Sequence, residues 1–470
     1  MSSLLQVRRL RRISTIFTSA ALLSLGAIAL PSASSANSSN GNIVYQVSPF
    51  AVQDSAIAPS AFSTPGYCVA VRGLACYGPD AFHSAYQIPW TINGQLAGTG
   101  QKIAIVDAFG SPTVASDLAT YDATFGLPPA DLNVYYPDGK PAFTPSPTYG
   151  SLQFGWAEET SLDVQTVHDL APGAQINLIV ASSPYGNDIN VATRYAITNH
   201  LGDVLSMSFG APEAAIAGGG NNLQLQQADA NFAAAVAAKI SLFASSGDSG
   251  ASNGYASANA LFPASDPNVT STGGTNLFTN ALGSPTSTDN SYAGEWTWND
   301  ADSSTCPFGC RYGVFGATGG AASSVFSAPS YQASLGLSAR STSDVSFNSS
   351  VYTATMIYLG FLGAGHDGFY FFGGTSEASP SWAAITADLN QAHGSDLGAM
   401  NPRLYALASV PSSYAADFHD VTVGNNEMPF PGPGSISKVG YDLPTGLGTP
   451  IVSGLMNSLA PGASLGYSQP

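Results

Sequence analysis

A serine in a glycine-rich turn is the first residue of this sequence whose type and setting suit chemistry. Residues 373–380 read Gly-Gly-Thr-Ser-Glu-Ala-Ser-Pro and follow an apolar run at 368–372 that predicts a strand. A turn from a strand into a helix exposes the Ser376 hydroxyl, and the helix N-terminus favours negative charge that develops there. Ser376 is therefore the candidate nucleophile. The alternative is a serine that only caps a buried helix start.

Two carboxylates are the candidate base for this serine. Glu159 and Asp163 lie four residues apart in a segment with a helical pattern, so their side chains face the same way. Carboxyls this close do not both ionise easily, and in acid they share a proton. Such a pair can accept a serine proton at a pH where a histidine is already protonated. A solvated acidic helix face is the alternative interpretation.

Two further aspartates follow apolar runs that predict strands. Asp248 lies in the turn Ser-Ser-Gly-Asp-Ser-Gly at 245–250, where a protonated carboxyl could donate a hydrogen bond to an oxyanion. An aspartate in a tight turn is also ordinary turn chemistry. Asp107 ends the run 102–109 and could serve a Ser-His-Asp triad with Ser376. The six histidines include none followed by Gly-Thr, which disfavours that triad: His83, His168, His200, His366, His393 and His419.

Strand and helix patterns alternate along most of the chain, which predicts a doubly wound α/β fold with a mostly parallel sheet and helices on both faces. The predicted strands are 102–109, 176–182, 204–209, 240–245 and 368–372. The predicted helices are 114–125, 159–170, 188–201, 223–238 and 380–392. Residues 284–327 are rich in Gly, Ser and Trp and predict irregular loops. We expect a single large catalytic domain.

The N-terminus predicts export. A basic cluster precedes an apolar stretch at 13–30 and small residues at 33–36, as in a signal peptide covering residues 1–36. Residues 37–78 predict a short Ser/Ala/Pro-rich segment, and 79–465 the catalytic domain. No later segment is apolar enough to span a bilayer, so we expect a secreted, extracellular protein without membrane contact after signal cleavage. We also expect a monomer.

Composition limits the partners. The chain has 13 Lys and Arg against 30 Asp and Glu, and four of the basic residues lie in the first twelve positions. Nucleic acids and anionic membranes need basic patches, so neither is an expected partner. Few cations and many carboxyls suit a protein that works in acid, where little charge of either sign remains. Simple solubility through negative charge explains the same numbers.

Four cysteines in an exported chain predict disulfides, with three possible connectivities. The two local pairs, Cys68 with Cys76 and Cys306 with Cys310, are favoured. A zinc site is the weaker interpretation, because no histidine lies at ligand spacing.

Three motifs together resemble the sedolisin family of serine-carboxyl peptidases: Glu-x-x-x-Asp, Ser-Gly-Asp-Ser-Gly and Gly-Gly-Thr-Ser, in this order. The resemblance runs from about residue 77 to residue 448 and implies a subtilisin-like fold. It implies a secreted endopeptidase that hydrolyses protein or peptide substrates in acid through an acyl-enzyme. It also implies residue roles, with Glu159 as general base, Asp163 orienting it, Ser376 as nucleophile and Asp248 assisting the oxyanion.

The resemblance further implies a calcium cofactor near the C-terminus, in loops 418–425 and 439–448. Calcium prefers carboxylate and carbonyl oxygens, which glycine-rich loops bring together. The implied ligands are the side chains of Asp420 and Asp442 with the main-chain carbonyls of Val421, Lys438 and Gly440.

The sequence departs from the family pattern in two ways. Too few residues follow the predicted signal peptide to form the family's long folded prosegment. The family's Ser-x-Ser-Trp-Gly strand end has Phe209 in place of the tryptophan, so it lacks an indole N–H. Two other functions are alternatives: a subtilisin-like Ser-His-Asp peptidase, and an inactive secreted calcium-binding protein on a peptidase scaffold. The absence of a suitable histidine motif disfavours the first, and the complete Glu-Asp-Asp-Ser set disfavours the second.

Overall fold

The structure is a computed structural model. It describes residues 42–53, 58–144, 150–216, 218, 221–310, 312–313, 315–363, 365–429 and 432–470. The predicted signal peptide, residues 1–36, lies outside these residues. Within them, no helix has both the length and the apolar character that crossing a membrane requires.

The elements are numbered in chain order. The strands are β1 (Phe50–Gln53), β2 (Ala75–Tyr77), β3 (Thr91–Ile92), β4 (Gln95–Leu96), β5 (Lys102–Ala108), β6 (Asp131–Tyr135), β7 (Gln175–Ala181), β8 (Val204–Met207), β9 (Ala211–Pro212), β10 (Ser241–Ser245), β11 (Leu261–Phe262), β12 (Thr270–Thr279), β13 (Tyr292–Thr297), β14 (Ala322–Ser327), β15 (Ala339–Ser341), β16 (Val345–Asn348), β17 (Thr353–Leu359), β18 (Gly368–Gly373), β19 (Phe418–His419), β20 (Thr449–Pro450) and β21 (Leu465–Gly466). The helices are α1 (Pro65–Arg72), α2 (Pro79–Ala85), α3 (Val114–Phe125), α4 (Gly150–Leu170), α5 (Gly186–Thr198), α6 (Leu223–Ala237), α7 (Thr375–His393), α8 (Asn401–Ala408), α9 (Pro411–Asp417) and α10 (Val452–Leu459).

An eight-stranded sheet forms the centre of the molecule. Its order is β13-β12-β10-β8-β5-β7-β6, and β16 also pairs with β12. Every pair is parallel except the edge pair of β12 and β13. This is the mostly parallel, doubly wound sheet that the sequence predicts.

The central strands bury both faces, because their apolar residues alternate between two cores. In β5, Ile103 and Ile105 belong to the core that also contains residues of α4 and α7. Ala104 and Val106 belong to the opposite core, with residues of α5 and α6. Successive side chains of a strand point to opposite faces, so a continuous apolar run is what a sheet covered on both sides requires.

A second, four-stranded sheet has the order β1-β18-β17-β2. The predicted strand at 368–372 is therefore present as β18, but it lies in this sheet and pairs antiparallel with β17. β2 precedes residue 79 and pairs parallel with β17, with Leu74, Cys76 and Tyr77 buried. Residues of β2, which precede residue 79, therefore pack against the rest of the catalytic domain. The domain boundaries themselves stay a prediction.

Most predicted elements are present, with shifted ends. Helix α3 matches its predicted range, whereas α4 begins nine residues earlier and α7 five residues earlier than predicted. The expectation of irregular loops over 284–327 is wrong at β13 and β14, where main-chain pairing to β12 and β15 orders the segment. The two favoured disulfides, Cys68–Cys76 and Cys306–Cys310, are both formed.

One buried ion pair fixes the loop between β15 and β16. The Arg340 guanidinium donates to Asp344 Oδ1 at 2.6 Å and to the carbonyl of Val269 at 3.1 Å, and both ionic side chains are fully buried. Asp344 Oδ2 also accepts the backbone N–H of Ser271 at 2.8 Å. The pair therefore ties the start of β12 to the start of β16.

Replacing Arg340 with Met should leave a buried, unpaired Asp344 carboxylate. We expect the R340M variant to lose about 3–5 kcal/mol of unfolding free energy in urea titrations at pH 6. Arg403→Met is the matched control, because Arg403 is exposed and its Nε donates to one carbonyl. That change should cost about 0.5 kcal/mol or less. Equal losses in the two variants would contradict a structural role for the ion pair.

Candidate active site

The predicted site residues meet at the carboxyl ends of the central parallel strands, the usual place for a site in such a sheet. Asp107 lies near the end of β5, and Asp248 follows β10. Glu159 and Asp163 are one turn apart on α4, and Ser376 lies in the first turn of α7. Helices α4 and α7 pack on the same face of the sheet, which brings the acidic pair to the serine.

Ser376 is held by an unusual backbone. Gly374, two residues before it, has φ of 135°, and a Cβ there would lie 3.1 Å from Asp248 Oδ2, so a glycine suits this position. Pro380 lies inside α7 and has no N–H to bond the Ser376 carbonyl four residues earlier. That carbonyl instead accepts the Ser208 hydroxyl at 3.2 Å. The Ser376 hydroxyl donates a long bond of 3.4 Å to the carbonyl of Ser208.

Three carboxyls form a fully buried cluster beside the serine: Asp107, Glu159 and Asp163. Burial, followed by the charge of Asp163, raises the pKa of Glu159 well above its ordinary value, and the Ser376 hydroxyl acts in the opposite direction. Burial and the charge of Asp107 likewise raise the pKa of Asp163. Burial raises the pKa of Asp107 to about 7. The described structure forms no Lys or Arg ion pair with the cluster, so protons must neutralise most of its charge.

Ser208 connects this cluster to the nucleophile. Its Oγ lies 2.7 Å from Asp163 Oδ1 and 3.2 Å from the Ser376 carbonyl oxygen. A hydroxyl has one proton to donate. When Asp163 is protonated it can donate to Ser208, which then donates to the Ser376 carbonyl. The chain of bonds is complete only with the proton on Asp163.

Asp248 lies on the other side of Ser376. Its Oδ1 accepts the N–H and the hydroxyl of Thr375, both at 2.7 Å. Burial raises the pKa of Asp248 to about 6, although both Thr375 bonds act in the opposite direction. Below that pH the carboxyl is protonated, and Oδ2, next to Gly374, can carry the proton toward the cleft. Asp248 is thus a hydrogen-bond donor in acid and an anion at neutral pH.

None of the six histidines, all of which lie in the described residues, hydrogen-bonds to Ser376. His83 is buried, with Nδ1 3.1 Å from the carbonyl oxygen of Ile88 and Nε2 3.0 Å from that of Asp169, and burial lowers its pKa to about 4. His168 Nε2 lies 2.8 Å from the carbonyl oxygen of Pro128. Asp107 therefore faces carboxyls and not an imidazole, which removes the geometric basis for a Ser-His-Asp triad.

The two predicted calcium loops are adjacent. The Asp420 carboxylate accepts the Gly440 N–H at 3.0 and 3.2 Å, and Asp442 Oδ2 accepts the Lys438 N–H at 2.9 Å. Burial raises the pKa of Asp442 to about 6, with a smaller contribution from the charge of Asp420, while the hydrogen bonds from Lys438 and Thr445 act in the opposite direction. In the described structure, the carbonyls of Val421, Lys438 and Gly440 accept no protein hydrogen bond. Two close carboxylates and three free carbonyls suit a hard cation.

These loops bring together two carboxylates and not a larger acidic group. Within the described ranges, no cluster of three or more His, Cys, Asp or Glu side chains is placed to hold a metal. A calcium ion here would depend on main-chain oxygen atoms, so the metal assignment remains a proposal.

Sequence reasoning placed the four main side chains but missed three features of the site. It considered Asp107 only as a partner of histidine, although it is the third acid of the cluster. It gave no role to Ser208, although this serine directly follows β8, at the edge of the sheet where the other site residues lie. It also treated residues 42–53 as part of the short Ser/Ala/Pro-rich segment, whereas their backbone pairs with Gly210 and Gly373 near the site. Phe209 is buried against Trp156, with ring centroids 5.8 Å apart.

Comparison with known proteins agrees with this geometry. Residues 149–408, which include all of α4, α7 and α8, match the sequence profile of the subtilase family. Kumamolisin from Bacillus sp. (strain MN-32) is 31% identical over 404 residues, covering 83% of this chain and 64% of that protein. Sedolisin from Pseudomonas sp. (strain 101) is 29% identical over 383 residues, covering 78% of this chain and 59% of that protein. The chain thus spans about six tenths of the length of these curated relatives.

A solved structure is similar as well. Pseudomonas sedolisin, a serine-carboxyl proteinase complexed with two molecules of pseudo-iodotyrostatin, superposes with a TM-score of 0.66 at 26% identity. The match covers 81% of this chain and 97% of the sedolisin chain. The chain belongs to the subtilase family and, within it, to the sedolisin group.

Asp248 should make folding stability depend on pH. Its folded pKa is raised from an ordinary value of 3.8 to about 6, so the folded state holds the proton more tightly than the unfolded chain. Proton binding by Asp248 therefore stabilises the folded state by up to about 3 kcal/mol. This stabilisation is fully present below the unfolded pKa of about 4 and is lost as the pH rises through about 6.

Asp248→Asn removes this titration while keeping an oxygen that accepts from Thr375. We expect the D248N variant to gain about 2.4 kcal/mol of unfolding free energy relative to wild type on going from pH 4 to pH 7, measured by urea titration at both values. Asp138→Asn, at an exposed position, is the control and should show no such difference. A D248N-to-wild-type difference independent of pH would mean that Asp248 is not protonated in the acid state.

Proposed function

We propose that the protein is a secreted serine endopeptidase that hydrolyses protein or peptide substrates in acid. The observation that carries this proposal is the buried carboxyl cluster beside Ser376, which can take a serine proton where histidine cannot. Similarity to kumamolisin and to sedolisin, a serine-carboxyl proteinase, supports peptide-bond hydrolysis. The two disulfides support an oxidising compartment, as outside the cell. We further propose that the protein acts as a monomer.

In the proposed mechanism, the Ser376 Oγ attacks the peptide carbonyl while its proton moves to Glu159. The carbonyl oxygen becomes negative and accepts a hydrogen bond from protonated Asp248. Glu159 then gives its proton to the leaving amine, which leaves an acyl group on Ser376. A water molecule hydrolyses this ester with Glu159 again acting as base. Asp163 orients Glu159 from the next turn of α4 and, when protonated, donates to Ser208.

Two protonation conditions limit the active pH range. The cluster of Asp107, Glu159 and Asp163 must release one proton, so that Glu159 can accept another from the serine. The two neighbouring carboxyls stay protonated, so the cluster carries a single negative charge. Asp248 must retain its proton, because an ionised Asp248 would repel the oxyanion. Its pKa of about 6 sets the upper limit.

The pH dependence of kcat/KM on one peptide tests the mechanism. We expect wild-type activity to fall as the pH rises through about 6, where Asp248 ionises, and to be absent well above pH 7. In D248N, an amide donates without a titrating proton, so the upper limit should move to higher pH even if the maximal rate is lower. Glu159→Gln should reduce activity at least about a thousandfold at every pH, because it removes the base.

The control for these variants is Ser376→Ala, which should remove activity and leave the unfolding transition at pH 4 within about 1 kcal/mol of wild type. A wild-type optimum above pH 7 would contradict the carboxylate mechanism. Turnover by S376A above about a thousandth of wild type would identify a different nucleophile.

We propose a calcium ion as the structural cofactor. Asp420 and Asp442 would bind it through their side chains, and Val421, Lys438 and Gly440 through their carbonyls. When bound, the ion would neutralise two adjacent carboxylates and hold the loops after β19 and before β20 together. It would take no part in the chemistry at Ser376.

Calcium should therefore stabilise the folded protein. At a hundredfold excess over Kd the gain is about 2.7 kcal/mol, which should appear as a higher Tm. The measurement is a melting curve at pH 6 with added CaCl2 or with chelator. Asp442→Ala should abolish the difference, while Asp138→Ala should preserve it. A wild-type Tm that is indifferent to calcium and chelator would contradict the site.

A further inference from the structure

A cavity outside the candidate active site lies between helix α2 and the C-terminal end of the chain. Its volume is about 650 Å³, within the range of about 300–1,000 Å³ that is usual for small-molecule sites. Its walls come from α2 and the turn after it, the loop before β13, the start of α10 and the residues after β21. These parts are far apart in the sequence, so the cavity is a product of the folded chain.

The cavity is separate from the residues of the proposed mechanism. His83, in its wall, has Nε2 3.0 Å from the carbonyl oxygen of Asp169, near the end of α4. Asp169 follows Glu159 by ten residues on this helix, which is about 15 Å along the helix axis. The cavity is therefore a second site and not an extension of the cleft beside Ser376.

Contacts within the protein hold the walls of the cavity in place. The Trp90 N–H donates to the carbonyl of Gly466 at 2.7 Å, and the Ser453 hydroxyl donates to Gln87 Oε1 at 2.5 Å. The rings of His83 and Trp90 are stacked, with centroids 3.5 Å apart and planes within 1° of parallel. Binding in such a preformed cavity orders few side chains, which favours affinity.

Two polar side chains in the walls have no protein partner. Asn290 is 6% exposed, and within the described residues its side-chain amide makes no hydrogen bond. Burial raises the pKa of the Asp80 carboxyl, and no hydrogen bond from the described part of the chain acts in the opposite direction. Buried polar groups are normally hydrogen-bonded, so an unpartnered amide in a cavity wall indicates a contact that a ligand completes.

The chemistry of the walls favours an uncharged ligand with many hydroxyl groups. Further donors and acceptors come from small hydroxyls and an amide: Ser63, Ser84, Thr288 and Gln469. Among the described residues that line the cavity none is Lys or Arg, so an anion would meet no opposite charge. A cation needs acceptors alone, whereas hydroxyls and amides both donate and accept. Mixed groups of this kind match the hydroxyls of a sugar.

Tyr467 adds an aromatic surface to these polar groups. It follows β21 and is 50% exposed, so part of its ring is open to a ligand. The C–H groups on one face of a pyranose ring are weakly positive and pack against the negative face of an aromatic ring. An open tyrosine ring beside hydroxyls and amides can therefore bind both the face and the edge of a sugar.

We propose that this cavity binds a short, uncharged saccharide, with Tyr467 against a sugar ring and Asp80 and Asn290 hydrogen-bonded to its hydroxyls. The bound saccharide would not contact the residues of the proposed hydrolytic mechanism, so the site would act as an attachment point. The proposal goes beyond peptide hydrolysis and does not depend on the chemistry at Ser376.

Titration calorimetry on the full-length S376A protein at pH 5 tests the site. The probes are maltotriose, cellotriose and N,N′,N″-triacetylchitotriose. We expect at least one to bind with a Kd of about 1 mM or less. Tyr467→Ala should weaken that binding at least about tenfold, because it removes the ring surface. Tyr185→Ala, at a 42% exposed tyrosine outside the cavity, is the matched control and should leave Kd unchanged.

A second variant fills the cavity without altering the core. Ser84 is exposed on α2, so Ser84→Trp places a large ring at the cavity wall and should also weaken binding at least about tenfold. Ser116→Trp, at an exposed position of α3, is its control and should bind as S376A does. Melting curves of all variants establish that they are folded.

Three results would overturn the proposal. None of the three saccharides binds S376A, or both Y467A and S84W retain full binding. The third is binding of an organic cation, tested with spermidine, that depends on Tyr467 while no saccharide binds. Loss of peptidase activity from the wild-type protein would leave saccharide binding unaffected, so this proposal and the proposed function can fail independently.

Discussion

The burial of carboxyls without cations is the constraint on which this site depends. Asp107, Glu159 and Asp163 have no measurable exposure, and no basic side chain compensates them in the described structure. Three negative charges buried together in a weakly polar interior are unfavourable, so the cluster is stable only when most of its carboxyls are protonated. The proposed chemistry uses the same fact, since a cluster that has released one proton can accept another from Ser376.

Buried carboxyls with raised pKa values also occur outside the site. Burial raises the pKa of Glu295, Asp300 and Asp266 to about 7 in each case, and each belongs to a different part of the core. The Glu295 carboxyl accepts hydrogen bonds from the hydroxyls of Tyr86 and Thr275. Hydroxyl groups can therefore satisfy this buried carboxyl without a counter-ion. The low number of Lys and Arg in the sequence therefore has a structural counterpart. It supports an acid-adapted fold more than solubility alone.

The sequence allowed much of this site to be predicted, because its residues lie in local motifs. The spacing of Glu159 and Asp163 predicts a shared helix face, and the turn at Ser376 predicts a serine at a helix start, although the structure buries this serine instead of exposing it. Asp107 was harder to assign, since its neighbours come from α4, about fifty residues later. The ordered segment at residues 42–53 could not be predicted at all. Its pairing with Gly210 and Gly373 is long-range, and its own sequence has no feature that distinguishes it from a linker.

The formation of the acyl-enzyme tests the central claim most directly. Wild-type protein is mixed with an excess of a peptide ester, quenched within milliseconds to seconds, and analysed by mass spectrometry from pH 2.5 to 8. The account predicts an added acyl group that maps to Ser376, formed fastest in acid and not above about pH 7, and absent in E159Q at every pH. Acylation of Ser376 that becomes faster up to pH 8, or that persists in E159Q, would contradict a carboxylate base.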